Sequence, residues 1–198
     1  MTQMAMVINL DRCADTRGCS GACKQENNVA LGSFWNQVFT VTTGAFPKTE
    51  TYFLPVICQH CRKPPCVPAC PYGAFYKRDD GIVVMGDKEK CVGCAEKPCM
   101  EACPYDVIFF NEEEKVVEKC DMCAHLVDQG KEPACSFACN ANARVFGDID
   151  DPESEISKVI RAAGDNVYHL RPETSAEPAV CYILHKKTWQ DMKNLRLR

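Results

Sequence analysis

Long apolar runs are missing from this chain. No stretch approaches about eighteen consecutive apolar residues, so no segment is expected to cross a membrane. The opening "MTQMAMVINLDRC" has no basic start followed by an apolar run, so no signal peptide is expected. A surplus of positive charge is also missing. Lysine and arginine total 23 against 27 aspartates and glutamates, for a net charge of −4. With no basic stripe, nucleic-acid binding is not expected. There is no nucleophile–base pattern and no glycine-rich phosphate loop, so the chain is not expected to be an enzyme in its own right. Apolar segments are too few for a large core, which leaves something else to hold the fold.

Cysteine is what the chain has in excess, with 16 among 198 residues. Disulfides, zinc and iron–sulfur clusters are the three uses to weigh. Disulfides suit a chain without its own export signal poorly, because such a chain folds in a reducing compartment. Export alongside a signal-bearing partner stays open.

The cysteines fall into four groups, with only Cys181 outside them. The first is Cys13, Cys19 and Cys23. The second, "CQHCRKPPCVPACPYGAFYK", holds Cys58, Cys61, Cys66 and Cys70. The third, "CVGCAEKPCMEACPYDVIFF", holds Cys91, Cys94, Cys99 and Cys103. The fourth, "CDMCAHLVDQGKEPACSFAC", holds Cys120, Cys123, Cys135 and Cys139. Groups two and three are an internal repeat of C-x2-C-x4-C-x3-C-P-Y, each running into a short aromatic–apolar strand. Every group ends in C-x3-C. In two-cluster ferredoxins the last cysteine of such a run ligates the other cluster. A zinc ribbon needs two C-x2-C knuckles and no trailing C-x3-C, so a zinc-stabilised interaction module is the weaker reading.

The repeat therefore predicts cross-ligation. Cys58, Cys61 and Cys66 share a cluster with Cys103, and Cys91, Cys94 and Cys99 share one with Cys70. Groups one and four are left to pair around them, giving Cys23 with Cys120, Cys123 and Cys135. The last set is Cys13, Cys19 and Cys139, and Thr16 stands where the second cysteine of group one belongs. The cofactors expected are three [4Fe–4S] clusters and one variant. The variant is a [3Fe–4S] cluster, or a [4Fe–4S] cluster whose fourth iron takes oxygen from Thr16, Asp15 or water; a vacant site is the third possibility. The expected fold is α+β, two nested ferredoxin-like modules with few regular elements. Residues 1–50 plus 111–150 form the outer module and 51–110 the inner one. Residues 151–198 supply a C-terminal helix, a strand and a tail.

Short strands are expected at 6–10, 51–57, 81–85, 143–149 and 178–184. "DDPESEISKVIRAAG" predicts a helix with Asp151 as N-cap, Pro152 in the first turn, Ile156, Val159 and Ile160 on one face, and Gly164 as the stop. "WQDMKNLRLR" is a docking arm or a frayed end. "NEEEK" is an exposed hairpin tip. His60 and His125, beside ligands, are expected to hydrogen-bond rather than ligate. Cys181 is a small buried residue, or a spare thiol for the incomplete site. Arg62, Lys63 and Lys97 meet solvent, a partner or the clusters' charge. Tyr72 and Tyr105, after the two Cys-Pro turns, are expected to pack against clusters.

The segments "MVINLDRC", "ACKQENN", "EKCDMCAHLVDQGKEPAC" and "ARVFGDIDDPESEISKVI", with the two repeats, cover nearly the whole chain. Together they resemble the iron–sulfur electron-transfer subunits of the dimethyl sulfoxide reductase superfamily of molybdopterin oxidoreductases. The branches most alike are the small subunits of respiratory arsenate reductase, of formate-dependent nitrite reduction and of pyrogallol–phloroglucinol transhydroxylase. The resemblance implies four clusters in a line, delivering electrons to or from a large molybdopterin (Mo or W) catalytic subunit. A membrane-anchored quinol-oxidising subunit or a soluble donor would stand at the other end. It implies that the variant cluster lies nearest the catalytic subunit. Some members replace a cysteine of group three instead, where this chain keeps Cys94. The complex would be cytoplasmic, or exported by a signal on the catalytic chain. A free-standing polyferredoxin carrier is the alternative.

Overall fold

The computed structural model describes residues 2–191. Strand β1 (Met4–Asn9) has buried apolar residues at consecutive positions, a run that needs cover on both faces. The rest of its sheet comes from the far end of the chain. We number the elements in chain order: α1 (Gly18–Asn27), β2 (Asn36–Ala45), β3 (Lys48–Ile57), β4 (Phe75–Lys77), β5 (Val83–Met85), α2 (Pro98–Ala102), β6 (Phe109–Asn111), β7 (Val116–Glu118), α3 (Ala124–Val127), α4 (Ala134–Phe137), β8 (Arg144–Asp148), α5 (Glu155–Ala163), β9 (Val167–Tyr168) and β10 (Val180–Ile183). β1 pairs antiparallel with β8 and parallel with β10, and β10 pairs antiparallel with β9. The resulting order is β8-β1-β10-β9.

The two-residue period of the strands sorts their side chains. Ala5, Val7, Cys181 and Ile183 turn toward α5, where Ile156 and Ala163 meet them. Met6, Ile8, Val180 and Tyr182 turn the other way, into a core shared with Cys58, Cys61, Cys120 and Cys135. One face of the sheet is thus closed by a helix and the other by the cysteine-bearing half. This core is larger than the scarcity of apolar runs predicts, because consecutive residues of β1 and β10 serve two faces at once.

Helix α5 starts later than the sequence predicts. The Asp151 carboxylate accepts from the Glu153 N–H at 2.9 Å, and its carbonyl accepts from the Ser154 N–H at 3.2 Å. That turn hands the cap to Ser154, whose Oγ accepts from the Ser157 N–H at 3.2 Å. Gly164 ends the helix as expected, at φ 55°. Ile156 is fully buried between α5 and the sheet. Truncating it to alanine is expected to cost about 2–5 kcal/mol, read by denaturant unfolding, with iron content unchanged because its core holds no cysteine of the four groups.

Strand β2 was not expected. It forms a long hairpin with β3, from Asn36 opposite Ile57 to Ala45 opposite Lys48. Two further hairpins, β4–β5 and β6–β7, follow the Cys-Pro-Tyr turns and supply the expected aromatic–apolar strands. They enclose a second core of Phe75, Val83, Ile108, Val116 and Val117 around Cys66, Cys91 and Cys99. Residues 112–115 form the exposed tip of the β6–β7 hairpin, as expected. Near the end of the chain Trp189 stacks on Tyr168 with ring centroids 5.0 Å apart. The rest of the proposed tail, 192–198, lies outside the described residues. Among the described residues no helix is long and apolar enough to cross a membrane.

Candidate metal centres

Single helical turns position the cysteines. α1 carries Cys19 and Cys23, α2 carries Cys99 and is capped by Cys103, and α4 carries Cys135 with Cys139 just beyond it. Cys66 and Cys70 share a turn closed by the Cys70 N–H on the Val67 carbonyl at 3.2 Å. Sulfurs one turn apart point into neighbouring spaces rather than one.

The C-x2-C loops share a backbone signature. The residue before the second cysteine is left-handed in each: His60 at φ 41°, Gly93 at 84° and Met122 at 60°. Asp15, at φ 52°, holds the same place before Thr16. The first group thus keeps the loop and places a threonine where the others place a thiol.

All sixteen cysteines are free thiols, and those of the four groups gather in four sets. Cys58, Cys61, Cys66 and Cys103 line one cavity, walled by Val83, Ile108 and Tyr105 with Lys119 at its edge. Burial and the sulfurs of Cys58, Cys103 and Cys66 push the Cys61 thiol up. Around Cys99, burial and then Cys70, Cys91 and Cys94 push the thiol up to about 11. Around Cys23, burial and then Cys135 and Cys123 push it up to about 12. Cys120, buried, is raised well above its ordinary value by desolvation and then by Cys23, Cys58 and Cys135. A second cavity is lined by Cys13, Cys19 and Cys139 together with Asp15, Thr16 and Arg144. Cross-influences order the sets: Cys120 feels Cys58, and Cys135 feels Cys19. With the shared helical turns, they show which sets adjoin.

Backbone donors converge on the sulfurs. N–H groups of Ala74, Ala143, Val117 and Met122 lie 3.2, 3.3, 3.4 and 3.4 Å from Sγ of Cys70, Cys139, Cys91 and Cys120 respectively. At Cys70 burial raises the thiol, yet the N–H groups of residues 72–75 outweigh it and hold the pKa below its ordinary value. Asn27 Nδ2 approaches Cys123 Sγ at 3.6 Å and Cys23 Sγ at 3.8 Å. Buried thiols in sets, with N–H dipoles directed at sulfur, suit thiolates ligating a polynuclear iron core. Among the described residues no three His, Cys, Asp or Glu side chains converge as a single metal ion requires.

Two buried cations beside these cavities escape sequence reasoning. Arg144, 6% exposed, donates to Asn36 Oδ1 at 2.9 Å, Met6 Sδ at 3.3 Å and Cys135 Sγ at 3.4 Å. Lys119, 4% exposed, donates to the Cys120 carbonyl at 3.0 Å and to that of Val83. Lysine or arginine in a strand or at its end ordinarily reads as solvent-facing, and only the neighbouring cysteines signal otherwise.

The remaining candidates separate. His60 is buried, and its Nδ1 accepts from the Val83 N–H at 3.1 Å. Burial and then the Lys119 and Lys77 charges hold His60 well below its ordinary pKa, so it is neutral. His125 pairs with Glu26 at 2.8 Å on the surface. Tyr105 lines the Cys58 cavity and meets Thr174 Oγ1 at 3.3 Å, as packing against a cluster requires. Tyr72 does not: it is 55% exposed, with no cover from the Thr174 segment among the described residues. Arg62 pairs with Asp150, Lys63 with Glu177, and Lys97 sits 3.9 Å over the Phe110 ring. Cys181 is buried on the α5 side of the sheet, with its Sγ 3.9 Å from His169 Nε2. It borders a separate cleft of about 670 Å³ near Arg161 and Pro172, so it is no spare ligand for the incomplete set.

These features define a class: an iron–sulfur protein with cysteine sets for several clusters. Residues 49–149 match the 4Fe-4S dicluster domain family. A sulfite dehydrogenase subunit from Allochromatium vinosum is 42% identical, over 95% of this chain and 85% of that one. The putative dimethyl sulfoxide reductase iron–sulfur subunit of Halobacterium salinarum is 41% identical, over 92% and 79%. The iron–sulfur subunit of arsenate respiratory reductase from a Shewanella species is 35% identical, over 91% and 96%. The chain belongs to the iron–sulfur subunits of the dimethyl sulfoxide reductase family of molybdoenzymes, as its motifs imply. Its role is electron transfer.

Proposed function

We propose that the chain carries four clusters in a row between a redox partner and a molybdopterin catalytic subunit. The observation that carries this reading is the gathering of fifteen grouped cysteines into four adjacent sets. A bound cluster takes up and releases one electron at a time. Cys91, Cys94, Cys99 and Cys70 hold the first, and Cys58, Cys61, Cys66 and Cys103 the second. Cys120, Cys123, Cys135 and Cys23 hold the third, and Cys13, Cys19 and Cys139 the variant. The two nested modules follow from this pairing. The matching hairpins after Cys70 and Cys103 support an inner module of 51–110.

The variant end meets the catalytic subunit. In support, Phe137, on α4 between Cys135 and Cys139, is 82% exposed, an apolar side chain awaiting a partner surface. A soluble donor or a membrane-anchored quinol oxidant meets the other end. The complex works in the cytoplasm, or across the membrane when the catalytic chain carries the export signal. Names of the relatives differ in substrate, so we assign substrate choice to the catalytic partner. Co-purification of a large molybdopterin subunit separates this reading from that of a free-standing carrier.

At the variant site we infer a [3Fe–4S] cluster. Asp15 is engaged by Arg17 through contacts of 3.0 and 3.3 Å, which leaves its carboxylate committed elsewhere. Thr16 is exposed at the rim of the cavity. Low-temperature EPR with iron and sulfide counts on anaerobically purified protein tests this. Oxidised wild type is expected to show a three-iron signal that Thr16→Cys abolishes. Four [4Fe–4S] clusters in both proteins would point to an oxygen ligand, and only three clusters in the wild type would mean a vacant site.

A further inference from the structure

Arg144 occupies an unusual place in the repeat. Five residues after Cys70 stands Phe75, and five after Cys103 stands Ile108, both buried at or just before a strand. Five residues after Cys139 the same buried position holds a guanidinium. Burying a cation there costs several kcal/mol unless negative charge answers it. The hydrogen-bond partners of Arg144 are Asn36, Met6 and Cys135, and none is a carboxylate. The acidic groups nearest its charge are the sulfurs of Cys135, Cys19 and Cys139, which a bound cluster would hold as thiolates. It therefore stands between two sets: it touches Cys135 of the third and lines the cavity of Cys13, Cys19 and Cys139.

We propose that Arg144 is a positioning cation shared by the variant cluster and its neighbour, compensating the negative charge of both and raising both reduction potentials. The inference rests on the four-cluster reading above. A fixed positive charge favours the reduced, more negative state of each cluster, and net charge and hydrogen bonds to sulfur are the levers that set cluster potentials. The guanidinium supplies both, with Asn36 Oδ1 fixing its orientation from behind. The inner pair has no equivalent at Phe75 or Ile108.

The test is a potentiometric titration followed by EPR on holoprotein, with clusters assigned by single-ligand substitutions and iron counted first. Arg144→Gln is expected to lower the midpoints of the variant and Cys135 clusters and to leave the inner pair unmoved. Arg144→Lys, which keeps the charge, is expected to stay nearer wild type. Asn36→Asp sets a carboxylate against the guanidinium without removing it and is expected to lower the same two midpoints. It decides the matter if the glutamine variant fails to load. Unchanged outer midpoints, or an equal shift in all clusters, would overturn the proposal. A vacant variant site in the wild type would sink the four-cluster reading instead, while the Cys135 cluster still reports on Arg144.

Discussion

Cys103→Ala is expected to destroy the cluster of Cys58, Cys61 and Cys66, not that of the cysteine group in which Cys103 lies. The reason is the single turn of α2. Cys99, within that helix, is surrounded by Cys70, Cys91 and Cys94. Cys103, at its end, lines the cavity of Cys58, Cys61 and Cys66 with Tyr105 and Lys119. In the proposed ligand set, removing its thiolate leaves three cysteines around one iron core, so that cluster is lost or reduced to a three-iron form. Cys70→Ala is the reciprocal experiment and strikes the cluster of Cys91, Cys94 and Cys99. Iron and sulfide counts with EPR on each variant read the outcome. Loss of the Cys91 cluster in Cys103→Ala would overturn cross-ligation. Because the Cys58 set lies inside the row, electron throughput in the assembled complex is expected to fall to near background.

What sequence could tell about this protein followed from how local each interaction is. Ligand spacing is local, since a C-x3-C pair is one helical turn wherever it folds, so the four groups stood out at once. The amphipathic face of Ile156, Val159 and Ile160 was equally plain. The start of α5 was not, because Asp151 and Pro152 resemble a helix start and in fact build the turn that precedes it. Strand β2, "NQVFTVTTGA", is largely polar and owes its existence to ten register pairs with β3 rather than to its own pattern. Tyr72 and Tyr105 share the same Cys-Pro-Tyr context, yet only Tyr105 is covered, by a segment some seventy positions away in sequence. Arg144 and Lys119 were illegible for the same reason. Their burial depends on how the chain folds around the cysteine sets, which spacing along the sequence does not show.

Removing iron is expected to divide the molecule. The core between α5 and the sheet contains no cysteine of the four groups; Ala5, Val7, Ile156, Ala179 and Ile183 hold it by apolar contact. The β4–β5 and β6–β7 hairpins have strands of only three residues and enclose Cys66, Cys91 and Cys99 at their centre. Such short hairpins are not stable alone. Comparable structural metal sites supply on the order of 10 kcal/mol, as much as the whole net stability of a domain, about 5–15 kcal/mol. After anaerobic chelation, hydrogen exchange is expected to lose protection across 58–140 and to keep it in β1, β10 and α5. Uniform loss would mean that the sheet depends on the clusters too; uniform retention would mean that the cysteine loops hold their own shape. Acid should promote the same division. Without iron the opened loops leave their thiols in the ordinary thiol range, about 8.5, so they are protonated at neutral pH. Bound to iron they are thiolates, and losing a cluster takes up one proton per thiol. Each unit fall in pH therefore favours loss by about 1.4 kcal/mol per thiol. Bleaching of the cluster absorbance is expected to quicken steadily as pH falls through and below neutrality, and a rate that rose with pH would reverse the sign of this linkage.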